Sequence, residues 1–248
     1  TQSHTAFDTS IVLIDTDEGI SGVGECCPLG PTYLPAYADG VRAGIAQLAP
    51  SLIGHDPTQL DHINAVMDTH LKGHPYVKSA LDMACWDILG KAANLPLYIL
   101  LGGKLQDSVT LYKVVTRTDP AAMAERIPEY RDQGFRQFQV KVGESPATDI
   151  IRIHRVAQEM RAGEVLNADA NTGWKQHEAL QVADAIADLG RQTGIRVTFE
   201  QPCLSYHECL AVRQHTDLPF VLDECMDSIG ALLQGYHDHA MDMINLKI

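Results

Sequence analysis

Nothing in these 248 residues approaches the ~20 consecutive apolar positions that a membrane-spanning helix requires. The opening Thr1-Gln2-Ser3-His4 has neither the basic nor the apolar stretch of a secretory leader, so the expectation is a soluble protein of the cytoplasm. Basic residues are scarce as well. Nineteen Lys and Arg stand against 32 Asp and Glu, a formal charge of −13, which argues against nucleic acid or an anionic membrane as partner and leaves a small molecule. The six cysteines, Cys26, Cys27, Cys85, Cys203, Cys209 and Cys225, include no C-x-x-C pair, so neither a zinc site nor a disulfide framework is expected, and free thiols suit a reducing compartment. What the chain has is an apolar content of 45% with 21% charge, too apolar for disorder and long enough for one large domain or two modest ones.

The first hundred residues read as an α+β unit. Ser10–Asp15 and Ile20–Glu25 are strand-like runs either side of the turn Thr16-Asp17-Glu18-Gly19, and together they predict a hairpin. Helical spacing follows over Tyr37–Leu48, Leu60–Leu71 and Tyr76–Ala93, the last ending at Asn94-Leu95-Pro96, and Trp86 falls on its expected core face. The hairpin has almost no chain before it, so a preceding partner strand is expected outside this stretch.

From Val109 the rhythm becomes short apolar runs separated by amphipathic stretches: Val109–Val114, Phe135–Val142, Val165–Asn171, Arg196–Gln201, Phe220–Glu224 and Met241–Ile248. Strands alternating with helices predict βαβ units and a parallel sheet. A doubly wound sheet should offer a glycine-rich phosphate loop after its first strand, but Val114-Val115-Thr116-Arg117 has no glycine. A (β/α)8 barrel of the TIM type fits better. A complete one takes about 250 residues, so Ser108–Ile248 has room for only six strands and five helices, and the chain is expected to be part of a longer protein.

Each strand from the second to the sixth finishes on charge that an apolar run does not need: Lys141, Asp169, Glu200, Asp223 with Glu224, and Lys247. Strand carboxyl ends ring the active site of such a barrel, so these residues are expected to converge. Three carboxylates on consecutive strands can offer oxygen ligands to a hard divalent cation such as Mg²⁺. A lysine desolvated beside a cation has its charged form disfavoured and can take a proton from carbon, while the cation stabilises the charge that develops. Alternation turns Glu224 away from Asp223, toward a supporting contact. Asp238, between His237 and His239, is read as a solvated loop residue at the opposite end.

Phe138-Gln139-Val140-Lys141-Val142-Gly143, Asn167-Ala168-Asp169-Ala170-Asn171, Phe199-Glu200-Gln201-Pro202, Leu222-Asp223-Glu224 and Ile244-Asn245-Leu246-Lys247-Ile248 resemble the enolase superfamily in its mandelate racemase/muconate-lactonizing enzyme branch. The resemblance implies a modified TIM-like (β/α)8-type barrel, incomplete over 108–248, preceded by an α+β capping domain over 1–107. It assigns Asp169, Glu200 and Asp223 to Mg²⁺ and Lys141 with Lys247 to acid/base work on opposite faces of the substrate. Gln139 departs from the branch's commoner pattern, which has lysine two residues before the base.

Gly24-Glu25-Cys26-Cys27-Pro28-Leu29-Gly30, Tyr33-Leu34-Pro35, Gly73-His74-Pro75-Tyr76, Ala84-Cys85-Trp86-Asp87 and Asn171-Thr172-Gly173-Trp174 resemble the branch's proline-processing members. That implies α-proton abstraction from a proline-type amino acid and dehydration of cis-3-hydroxy-L-proline. The alternatives left open are racemisation or epimerisation of proline or hydroxyproline betaine derivatives, a sugar-acid dehydratase, and a barrel that only binds an amino acid. Tyr33, His74, Tyr76 and Asn171 are expected at the substrate, and a homo-oligomer is expected, with no nucleic-acid or membrane partner.

Overall fold

The structure is a computed structural model that describes residues 6–247; the segment Thr1-Gln2-Ser3-His4 and the terminal Ile248 lie outside the described residues. The chain divides into two compact units, the first ending at Ser108 and the second covering Val109–Lys247.

In the first unit β1 (Ser10–Asp15) and β2 (Ser21–Cys26) form the antiparallel hairpin in the register Ser10↔Cys26 to Asp15↔Ser21. Thr16 closes the turn with its hydroxyl, which donates to the Ile20 carbonyl at 2.9 Å and accepts from the Ile20 N–H at 3.1 Å. Three helices follow: α1 (Ala38–Leu52), α2 (Leu60–His70) and α3 (Pro75–Ala93), with Pro75 at the first turn of α3, where its missing N–H costs nothing. β2 lies directly on α3 because Gly24 has no side chain: a Cβ there would stand 1.8 Å from the Ala80 carbonyl oxygen. Val12, Leu48, Ile63, Met67, Val77, Leu81 and Cys85 form the core beneath the hairpin. Trp86 is only half-buried, a correction to its expected core position: its neighbours Ala84, Cys85 and Ile88 carry the inward face of α3 instead. A short helix, α4 (Leu97–Leu100), ends the unit.

The second unit is a parallel sheet in strict chain order, β3-β4-β5-β6-β7-β8: Lys113–Val115, Gln137–Lys141, Val165–Asp169, Arg196–Glu200, Phe220–Leu222 and Met243–Ile244. Helices α5 (Pro120–Asp132), α6 (Pro146–Glu159), α7 (Gln176–Ile186), α8 (Leu189–Thr193), α9 (Tyr206–Arg213) and α10 (Ile229–His237) connect them. Sequential order with no reversal belongs to a barrel segment and not to a doubly wound sheet. Alternate strand residues Phe138, Val140, Leu166, Ala168, Val197 and Phe199 pack against helix residues such as Met123, Ile127, Ile153, Val156, Val182 and Ile186. The other face of β4, β5 and β6 carries Gln139, Lys141, Asn167, Asp169, Thr198 and Glu200.

Strand lengths differ from the sequence expectation at both edges. The first strand starts at Lys113, because Val109, Leu111 and Tyr112 remain exposed and pair with no neighbour. The last is two residues long, limited by β7, whose ladder to it ends at Leu222↔Ile244. Lys247 therefore follows β8 rather than ending it. Asp238 is not merely solvated: its carboxylate accepts the Tyr206 hydroxyl at 2.7 Å and ties α9 to the end of α10.

At the amino-terminal end of the sheet, Arg131 and Glu164 are buried together, 6% and 3% exposed, with Arg131 Nε and Nη2 donating to the two carboxylate oxygens at 2.7 and 2.9 Å. A planar guanidinium forked onto a carboxylate satisfies both charges at once.

Candidate active site

Lys141, Asp169 and Glu200 are ladder partners at the last positions of β4, β5 and β6, so three adjacent strands deliver them side by side. Asp223 follows β7 by one residue. The three carboxylates are almost wholly buried, at 1%, 0% and 6% exposure, whereas the Lys141 side chain is 28% exposed and that of Lys247 is 44%. Lys141 Nζ donates to Asp169 Oδ2 at 2.5 Å and to Asn171 Oδ1 at 2.9 Å. Lys247 Nζ pairs with Asp223 Oδ1. The lysines thus come from β4 and from the chain after β8, with three strands between them in the sheet.

Asn171 has a left-handed backbone, φ 42°, and its amide bridges Lys141 to Glu224: Nδ2 donates to Glu224 Oε1 at 3.0 Å. The other Glu224 oxygen is buried and has no hydrogen-bond partner among the described residues. Tyr33, His74 and Tyr76 belong to the first unit. His74 is exposed, with φ 51°, and its ring meets the edge of Tyr76 at 5.8 Å; Tyr33 and Tyr76 are half-buried.

A further set of residues, to which the sequence reading gave no role, holds Glu200, although Gln139 stood out there as a departure from the family pattern. Glu200 Oε2 accepts from Gln139 Nε2 at 3.2 Å and from the Asn167 amide, while Oε1 takes the Asn245 amide; the Thr198 hydroxyl donates to Asn167 Oδ1 at 2.7 Å. Each stands two residues before a charged one: Gln139 before Lys141, Asn167 before Asp169, Thr198 before Glu200, Asn245 before Lys247. Because strand side chains alternate, position i−2 shares the face of position i, so a polar-x-charged pattern in otherwise apolar strands is the signal that finds them.

Behind the site, Asp149 in the first turn of α6 is wholly buried and accepts four hydrogen bonds. Its Oδ2 takes Gly143 N at 3.0 Å, Glu144 N at 2.7 Å and Trp174 Nε1 at 3.1 Å, and Oδ1 takes Arg152 Nη1 at 2.7 Å. The loop after Lys141 is thereby fastened to the loop after Asp169. Gly143 makes that approach possible: its φ is 93°, and a Cβ would stand 2.2 Å from the Ala170 carbonyl oxygen.

Burial, and then the neighbouring Asp169, pushes the Glu200 carboxyl above its ordinary range, against the amides of Asn167 and Gln139. Burial raises Glu224 in the same way. Burial also lowers the Lys247 ammonium, against the pull of Glu200 and Asp169. Among the described residues no three His, Cys, Asp or Glu side chains stand as a ready cation cage, since lysine and amide donors occupy the carboxylates. The donor set itself fits a hard divalent ion: three buried carboxylates on consecutive strands, close enough for Asp169 to raise Glu200, and no soft ligand among them. No helix of the described residues is long and apolar enough to cross a membrane.

Comparison with known proteins bears on the same residues. The family model described as mandelate racemase / muconate lactonizing enzyme, N-terminal domain, matches residues 1–102, and the one described as enolase C-terminal domain-like matches 122–248. A cis-3-hydroxy-L-proline dehydratase of Roseibium aggregatum is 50% identical over 98% of this chain and 64% of its own length. An N-succinyl-L-Arg/Lys racemase of Bacillus cereus is 31% identical over 99% of this chain and 66% of its own. A crystal structure of an enolase superfamily member from Roseovarius nubinhibens, complexed with magnesium, superimposes with a TM-score of 0.89 at 41% identity, covering 97% of this chain and 64% of that one. The chain therefore spans just under two thirds of the length of such relatives. Two matched family models, the sequential parallel sheet and the charges at its strand ends agree: the chain belongs to the mandelate racemase/muconate lactonizing enzyme family of the enolase superfamily.

Proposed function

We propose that the protein of which this chain is part removes the α-proton of a proline-type amino acid and dehydrates cis-3-hydroxy-L-proline, with the first unit as a cap. The observation that carries this reading is the row Lys141, Asp169, Glu200, one residue per adjacent strand end, continued by Asp223 and Lys247. The 50% identity to a dehydratase of that substrate supports the choice within the family.

Asp169, Glu200 and Asp223 would hold Mg²⁺, which when bound supplies positive charge beside the substrate carboxylate as the α-carbon loses its proton. Asn167, Gln139 and Asn245 fix the Glu200 oxygens, and Asn171 fixes the Lys141 Nζ. One lysine Nζ takes the α-proton from one face of the ring. The C3 hydroxyl then departs with a proton as water, the C2–C3 double bond forms, and the product is a pyrroline-2-carboxylate. The C2–C3 enamine keeps its N–H and becomes the imine when that hydrogen moves to C3, so the net change is loss of one water with no oxidant or reductant.

Incubation of the intact protein with cis-3-hydroxy-L-proline and Mg²⁺ should release pyrroline-2-carboxylate, and proline in D₂O should show at most slower α-deuterium exchange. Clean epimerisation of hydroxyproline betaine with no action on the 3-hydroxy compound would overturn dehydration. That second reading, a racemase or epimerase, draws on the placement of one lysine at the end of β4 and the other in the chain after β8, with three strands between, and on the similarity to a racemase. Small-molecule chemistry is the role proposed, in a reducing compartment that suits six free thiols.

A further inference from the structure

Gln201 belongs to none of the roles above, yet it is wholly buried and holds a left-handed backbone, φ 32°, which a side chain with a Cβ adopts only when its surroundings impose it. Its backbone N–H continues the sheet by donating to Val221 O at 2.9 Å. The next ladder bond of a parallel pair would run from Asp223 N to the Gln201 carbonyl. That carbonyl is turned the other way and accepts Thr172 N at 2.9 Å, in the loop after Asp169. The side chain replaces it: Gln201 Oε1 accepts Asp223 N at 2.8 Å and the Cys225 thiol at 3.4 Å. Its Nε2 donates to Cys203 O at 3.0 Å and to Cys209 Sγ at 3.6 Å, so the carboxamide has donors and acceptors on the correct sides and none left over.

We propose that Gln201 is a positioning residue for the cation site, its backbone holding the loop after Asp169 while its carboxamide holds the backbone of Asp223, so that two carboxylates on either side of Glu200 are set by one neighbour. The proposal rests on the reading that Asp169, Glu200 and Asp223 bind Mg²⁺. Its chemical logic is that β7 stops at Leu222, leaving the Asp223 N–H beyond the ladder and buried, where an unpaired donor would draw the residue out of place. Loss of a group that orients ligands in this way typically costs about 10- to 100-fold in metal affinity or activity.

Isothermal titration of Mg²⁺ into the intact wild-type protein and its Gln201→Leu, Gln201→Asn and Asp223→Asn variants tests this, each variant first checked for a native near-UV circular dichroism spectrum. Gln201→Leu removes both ends of the carboxamide. Gln201→Asn suits the left-handed backbone and keeps the carboxamide, but withdraws it by one methylene, so it remains informative if the leucine variant does not fold. Both are expected to bind Mg²⁺ about 10- to 100-fold more weakly, with turnover returning toward wild type when Mg²⁺ is saturating. Wild-type affinity in a folded Gln201 variant, with or without a loss of thermal stability, overturns the proposal while Asp223→Asn still weakens binding. Undiminished binding in Asp223→Asn overturns the metal reading itself.

Discussion

Removing the Asp149 carboxylate should loosen both loops behind the site, and the size of the effect follows from its four donors. An asparagine there presents one oxygen in place of two. Turned with that oxygen toward Gly143 N, Glu144 N and Trp174 Nε1, its amide N–H confronts Arg152 Nη1, donor against donor. One charge-assisted bond is lost, worth about 1.5–3 kcal/mol, while Arg152 keeps Glu144 at 2.9 Å and Thr118 O at 3.0 Å. Alanine instead strands three donors, Trp174 Nε1 and the backbone N–H groups of Gly143 and Glu144 in the loop that follows Lys141, and takes from Arg152 one of its two carboxylates. At about 1–3 kcal/mol for each unsatisfied group, and allowing for relaxation and entering water, Asp149→Ala should cost about 4–5 kcal/mol, near the top of what one substitution does. With about 4 °C per kcal/mol for a domain of this size, the asparagine variant should melt about 8 °C and the alanine variant more than about 15 °C below wild type. Differential scanning calorimetry of the intact protein reads both. An alanine variant melting within about 3 °C of wild type would refute the assignment of Asp149 as the tie between the loops.

Arg131→Met should destabilise by about 3–5 kcal/mol because it leaves Glu164 charged and buried, and Glu164→Leu added to it should restore much of the loss; equal melts for the single and double variants would contradict this. Burial pushes the Glu164 carboxyl up, but Arg131 prevails and holds it below the ordinary glutamate value, so the pair stabilises above that ordinary value and the contribution fades as pH falls through the lowered one. Melts taken from pH 7 into the acid range should therefore show a loss in wild type that the Met/Leu double variant lacks. Lys141→Ala and Lys247→Ala should each abolish α-deuterium exchange from one face of a proline-type substrate, read by NMR in D₂O; full exchange and activity in both would remove lysine from the chemistry.

A charged residue near the end of an apolar strand is an anomaly that burial energetics makes visible in a sequence, and this is why Lys141, Asp169 and Glu200 could be picked out, although the strand-like runs continue past them to Val142, Asn171 and Gln201. The uncharged partners Asn167 and Asn245 carry a weaker signal, their place two residues before a charge, and Gln139 stands out only as a departure from the family pattern; what an amide in a strand holds is set by its neighbour across the sheet. Asp149 looked like any acid in a first helical turn. The edges of the sheet were misjudged for a related reason: Val109 and Leu111 are apolar enough for a strand, but pairing depends on a neighbour that composition does not reveal. Gln201 was legible as part of a motif, whereas its left-handed backbone and divided hydrogen bonds are set by β5 and β7 on either side of it.

The two ends of the parallel sheet treat buried charge in opposite ways, and that has a consequence for anyone selecting hardier variants. The amino-terminal end matches one guanidinium to one carboxylate. The carboxyl end crowds Asp169, Glu200, Asp223 and Glu224 around two ammonium groups, and the raised Glu200 and Glu224 carboxyls show that ionising them there is uphill. That penalty is carried above their raised titration range and fades as pH falls through it. Amide replacement of Glu224, one oxygen of which has no hydrogen-bond partner among the described residues, should relieve its share and raise the melting temperature. A library screened for heat resistance alone would accumulate such changes, and its most robust survivors would be the ones with the least left to catalyse.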